Sequence, residues 1–125
     1  MTSATQQLII NHMVNDIDAT LTALADPTRR RIVELLQERP RRAGELVDSF
    51  DMSAPAISRH LRILRRNGLV QEHGVDEDTR IRVYRLRHEP FIALQAWLDQ
   101  VQAFWNDQLG AFKEHAERMS KGTLE

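Results

Sequence analysis

Between Ser53 and Arg66 the chain carries Arg59, Arg62, Arg65 and Arg66 and no acidic residue. The planar guanidinium of arginine offers paired N–H donors that match a phosphate, or the O6 and N7 acceptors of guanine. A solvated helix face ordinarily mixes charge signs, so a run of one sign with the small polar Ser58 inside it has the chemistry of anion recognition. At about 100° per residue, the segment puts Ile57, Leu61 and Leu64 on one side. Pro55, Arg59, Arg62 and Arg66 fall on the other, with Ser58 beside them. The first side is a core stripe. The second fits a DNA major groove, which admits one helix and is read by its N-terminal half. Ser53, Ala54, Pro55, Ser58, Arg59 and Arg62 belong to the expected reading half, with His60 at its edge. Arg66 lies further along, where phosphates are met. The expected partner is double-stranded DNA.

The charge is segregated along the chain. Residues 28–66 hold ten arginines against five acids, while residues 1–27 and 67–125 each carry a net −3, leaving −1 over 125 residues. A positive centre between acidic flanks points to a local anion-binding face rather than a generally adhesive surface. Arg41 and Arg42, at the expected start of a short helix, are further phosphate ligands in this reading, helped by that helix's N-terminal amides. Arg80 and Arg82 follow a loop and are also assigned to DNA, although Asp76, Glu77 and Asp78 at the loop tip would be repelled by phosphate. Arg29, Arg30 and Arg31 read instead as structural or solvated.

Other chemistries find little support. There is no cysteine, which removes disulfides, thiolate metal sites and thiol nucleophiles. His12, His60, His73, His88 and His115 are scattered, with no two within a helix turn. No glycine-rich phosphate loop and no nucleophile–base pair stands out. The expectation is a protein that is not an enzyme and needs no metal or cofactor. No apolar run reaches the length of a membrane span, and Met1–Ile10 lacks the basic start and apolar core of a signal peptide, so a cytoplasmic location is expected.

These residues need a scaffold. Ile10, Met13, Ile17, Leu21 and Leu24 recur at helical spacing over residues 7–24. Asp26-Pro27 is a helix start, an N-cap followed by proline in the first turn, and Pro40 bars continuation beyond about Gln37. A short helix is expected over 43–49. Ser53 then caps a helix ending at Asn67-Gly68. Residues 69–73 and 81–86 read as a β-hairpin. Pro90 opens a long helix over 91–119, striped by Leu94, Leu98, Val101, Trp105, Leu109 and Phe112 and widened by Trp97 and Phe104. The predicted fold is mainly α with a small β-hairpin: a winged helix-turn-helix over residues 26–86 between long N- and C-terminal helices, forming one domain over 1–125. The terminal stripes carry more apolar surface than a small winged helix can cover. The expected dimer interface therefore comprises Ile10, Met13 and Ile17 of the first helix and Leu94, Trp97, Leu98, Val101, Phe104, Trp105, Leu109 and Phe112 of the last.

Three blocks in order, Leu24-Ala25-Asp26-Pro27-Thr28-Arg29-Arg30, Ser53 through Val70, and Arg82-Val83-Tyr84-Arg85-Leu86, resemble the ArsR/SmtB family of bacterial winged-helix repressors. The resemblance covers about residues 20–90. It implies a homodimeric transcriptional repressor whose first and last helices pair and whose two recognition helices meet a palindromic operator. Metal-sensing members carry Cys-x-Cys after Glu-Leu; here Glu45-Leu46 is followed by Val47 and Ser49. Their other sensing site needs Asp-x-His and His-x-x-Glu, but Asp99 is followed by Val101 and His115 by Arg118. The resemblance is thus to a type that senses no metal. Ala54 and Pro55 stand where many members have glutamine and serine or threonine, which shifts base reading toward Ser58, Arg59 and Arg62. Two alternatives remain open at this level: a protein-interaction module that keeps the winged fold, and a switch released by an unidentified small-molecule effector bound among the aromatic residues of the last helix.

Overall fold

The computed structural model describes residues 4–75 and 78–123, without the side chains of 6–15, 75, 78–80 and 121–123. The elements run α1 (Ala4–Leu24), α2 (Pro27–Glu38), β1 (Arg41–Arg42), α3 (Ala43–Asp48), α4 (Ala54–Arg66), β2 (Val70–Val75), β3 (Asp78–Leu86) and α5 (Glu89–Thr123). The chain divides into two compact units, Met1–Ala93 and Leu94–Glu125.

The first unit is organised by helix ends. Asp26 accepts from the N–H groups of Thr28 at 2.8 Å and Arg29 at 3.2 Å, so it satisfies two of the donors that begin α2. Burial pushes its carboxyl pKa up. The Arg29 N–H, the charge of His60 and the Thr28 N–H together pull it down further, and the net position is below the ordinary value. Asp26→Ala should cost about 1 kcal/mol in urea unfolding at neutral pH. A carboxyl whose native pKa is depressed stabilises above the unfolded-state pKa and loses that contribution as pH falls through the native one. The gap between wild type and Asp26→Ala should therefore close in acid, and a gap unchanged down to pH 2 would remove the carboxylate from the cap.

Ser53 repeats the device for α4, its Oγ accepting from the Ala56 N–H at 3.3 Å. At the other end of α4, Gly68 N–H donates to the Arg65 carbonyl and Leu69 N–H to the Leu64 carbonyl, each at 3.0 Å. This paired closure needs a left-handed residue, and Gly68 supplies it with φ +81°. The core below is made of Ile32, Leu35 and Leu36 from α2, Leu46 from α3, Ile57, Leu61 and Leu64 from α4, and Leu69 and Val70, all buried.

The sheet has three antiparallel strands in the order β1-β3-β2. Val70 pairs with Leu86 and Glu72 with Tyr84, and the register shifts at Gly74/Val75. On the other edge of β3, Arg41 faces Tyr84 and Arg42 faces Val83. Arg41 and Arg42 thus form a strand instead of opening the short helix, because their backbone finds β3, a partner distant in sequence. Both hairpin strands also extend beyond the apolar runs that predict them. The result is a winged helix-turn-helix.

The second unit, taken by itself, is the continuation of α5. Leu94 is half-buried. Trp97, Leu98, Val101, Phe104, Trp105, Leu109 and Phe112 are all exposed, which leaves an apolar stripe along the helix. Among the described residues, no helix is long and apolar enough to cross a membrane.

Candidate nucleic-acid interface

Helix α4 is amphipathic in the sense its sequence predicts. Ile57, Leu61 and Leu64 lie in the core, while Ser53, Ala54, Pro55, Ser58, Arg59, Arg62 and Arg66 are exposed on the outer side. Arg59, Arg62 and Arg66 make no hydrogen bond or ion pair within the described residues. An arginine that the fold does not use costs solubilised side-chain entropy when it binds, yet it sacrifices no internal bond. Among the described residues these three, like the exposed Arg42 and Arg85, are cations that can meet an external anion without breaking an internal bond.

Apart from Arg42, the remaining arginines of residues 28–66 have internal work. Arg29 Nε donates to the Ala23 carbonyl at 2.7 Å and Arg30 Nη1 to the Leu24 carbonyl at 2.8 Å. Both satisfy carbonyls left open by the end of α1. Arg31 pairs with Glu34 at 3.0 Å, and Arg39 with Glu45 at 2.7 Å. The hydrogen bond from Arg39, joined by the Arg42 N–H, holds the Glu45 carboxyl below its usual range.

Arg41 departs from the phosphate role expected of it. Its Nε donates to the Leu35 carbonyl at 3.0 Å and its Nη2 meets Glu38 at 2.7 Å, and its side chain is only 12% exposed. It lies on the side of the sheet toward Tyr84 and closes the end of α2. Arg42, the next residue, points to the other side of the strand and is exposed. His60 also turns inward from the reading edge. Its Nδ1 lies 3.3 Å from Arg29 Nη1 and 3.9 Å from Asp26 Oδ1, linking α4 to the start of α2.

At the wing, Arg82 Nε lies 3.5 Å from Glu72 Oε1, and the other Glu72 oxygen accepts from Arg65 Nη1 of α4. The Arg80 side chain falls outside the described residues, as do Ile10 and Met13 of the expected dimer face. Ile17 is buried within the single chain and offers a partner little surface. The structure thus gathers Ser58, Arg59, Arg62 and Arg66 on one face and takes Arg41 out of it. It adds Glu72, which sequence reasoning passed over. Only the β2–β3 register sets that acid against Tyr84 and within reach of two guanidiniums. Among the described residues, no three histidines or carboxylates are grouped to hold a metal ion.

Comparison with known proteins finds relatives of the chain and of its fold. A family model described as "Bacterial regulatory protein, arsR family" matches residues 26–72. The chain is 39% identical over 97 residues to the HTH-type transcriptional regulator Rv2034 of Mycobacterium tuberculosis (strain ATCC 25618 / H37Rv), a span of 78% of this chain and 85% of that protein. It is 41% identical over 51 residues to the transcriptional repressor SdpR of Bacillus subtilis (strain 168), covering 41% of this chain and 57% of that one. Among solved structures it resembles an ArsR-like transcriptional regulator from Rhodococcus sp. RHA1, with a TM-score of 0.68, 28% identity, and coverage of 79% of this chain and 91% of the other.

Proposed function

The chain belongs to the ArsR family of DNA-binding transcriptional regulators, which are not enzymes, and from that premise we propose that it is a homodimeric repressor acting on a palindromic operator in the cytoplasm. The observation that carries the reading is the outer face of α4, where Arg59, Arg62 and Arg66 are exposed, and unpaired among the described residues, directly opposite a buried stripe. Ser58, Arg59 and Arg62 read base edges in the major groove, the N-terminal residues Ser53, Ala54 and Pro55 approach the backbone, and Arg42, Arg66, Arg80 and Arg82 hold phosphates. Repression follows from occupying a promoter, and the similarity to the transcriptional repressor SdpR supports that direction.

The dimer rests on α5. A stripe that exposes Trp97, Phe104, Trp105, Leu109 and Phe112 is larger than the scattered apolar residues of an ordinary monomer surface. A second copy, with its own stripe, would bury it and set two recognition helices about 34–36 Å apart, one DNA turn. No metal or cofactor is assigned.

The test is footprinting of the DNA upstream of the protein's own gene, with competitor DNA at near-physiological salt. The expected result is a protected palindrome with half-sites one turn apart. Arg59→Ala should then weaken binding to that site by about 1–3 kcal/mol and relax preference at one base pair of each half-site. Absence of protection there, followed by failure of random-sequence selection to enrich a site, would overturn the reading in favour of a protein-interaction module.

A further inference from the structure

The cations of the DNA face fall into two classes. Among the described residues Arg59, Arg62 and Arg66 have no partner, whereas Arg65 and Arg82 share the carboxylate of Glu72. Glu72 is itself only 17% exposed and sits beneath two guanidiniums that are about half exposed. It lines a hollow of about 160 Å³ with Ser58, Leu61, Arg62, Arg65 and Tyr84, so it borders two of the residues assigned to base reading. An acid in that place lowers the positive potential of the face. Packing does not require the charge: Glu72 lies opposite Tyr84 at the rim of the sheet, outside the buried core.

Resting on the DNA-binding reading above, we propose that Glu72 is a specificity-determining residue that acts as an internal stand-in for phosphate. Its carboxylate occupies Arg65 and Arg82 and withholds them from loosely bound duplex. Non-specific binding grows with the number of phosphates neutralised, and two occupied arginines do not add to that number. At the correct site, base contacts from Ser58, Arg59 and Arg62 lock the register. A phosphate is then held where it competes with the carboxylate, and the pair is shared or exchanged. At a random site no such register is held, and the pair stays on Glu72. The acid therefore lowers non-specific affinity more than specific affinity.

Glu72→Gln keeps the side chain's shape and removes the charge. In fluorescence-anisotropy titrations of the full chain on a random-sequence duplex, the slope of log K against log salt should steepen by about 1–2. Between about 50 and 200 mM salt, that is an extra loss of about fourfold to sixteenfold relative to wild type. Affinity for the footprinted operator should rise less, so the ratio of specific to random binding falls. In the Glu72→Gln background, Arg82→Gln should return the random-duplex slope toward the wild-type value. Glu34→Gln, which strips the same charge from the Arg31 pair on α2, should leave the slope alone.

An unchanged slope in Glu72→Gln, or an equal gain on both duplexes, would overturn the screening role. A wild-type chain that binds neither duplex overturns the DNA reading itself, and that failure is seen before any variant is made.

Discussion

Between about 50 and 200 mM salt, affinity for the operator should fall by about four orders of magnitude. In the proposed dimer each protomer would bring roughly four phosphate-neutralising groups, so about eight condensed counterions would be displaced and the slope of log K against log salt should lie near −7. The formal net charge of −1 gives the molecule as a whole no attraction to DNA. Salt sensitivity of that size must come from a local face. The fold says which arginines count. Arg59, Arg62 and Arg66 are free to give up solvent for phosphate or base. Arg29, Arg30 and Arg41 are committed to carbonyls at helix ends. Replacing any of the second set by glutamine should lower stability and leave the slope unchanged, while replacing Arg66 should flatten it by about two, roughly one for each protomer of the dimer. A response that is flat across the salt range would dispose of the interface.

Leu64→Ala should destabilise the fold by about 2–5 kcal/mol, a large share of the margin of a small domain. Leu64 is completely buried, and its neighbours in the core come from α2, α3 and the start of β2. Truncation leaves a void that these rigidly connected elements can only partly close. Alanine is a good helix former and the Leu64 carbonyl still accepts from Leu69, so the loss is one of packing, neither of helix propensity nor of the end motif. The contrast lies two residues away. Arg62→Ala, on the exposed side of the same helix, should change stability by less than about 0.5 kcal/mol while weakening DNA binding. Urea unfolding of the two variants, with unchanged m-values, separates a core residue from a contact residue on one helix. Equal stability of Leu64→Ala and wild type would contradict the packing described above.

What could be read from the chain alone follows the range of the interactions concerned. Asp26, Ser53 and Gly68 act on backbone groups within a few residues, so their roles as caps and terminator follow from local rules. The two faces of α4 follow from periodicity. Strand β1 was not legible, because two arginines after a proline carry no strand signal and pair only through Tyr84 and Val83, some forty residues on. The fate of each arginine was equally hidden. Arg41 and Arg42 are the same residue type in adjacent positions, and alternation along a strand sends one to a carbonyl and the other to solvent. Glu72 drew no notice because its meaning comes from Arg65 on one element and Arg82 on another.

The two-residue strand β1 has a mechanical consequence. At Tyr84 and Val83, β3 is held on both edges, by β2 on one side and β1 on the other, and β1 runs without a break into the first turn of α3. The wing is consequently a cantilever built into the wall of the helix-turn-helix. Any load applied to the hairpin is borne by ladder hydrogen bonds and delivered to α3, which packs against α4, so the hairpin and the helices move as one piece.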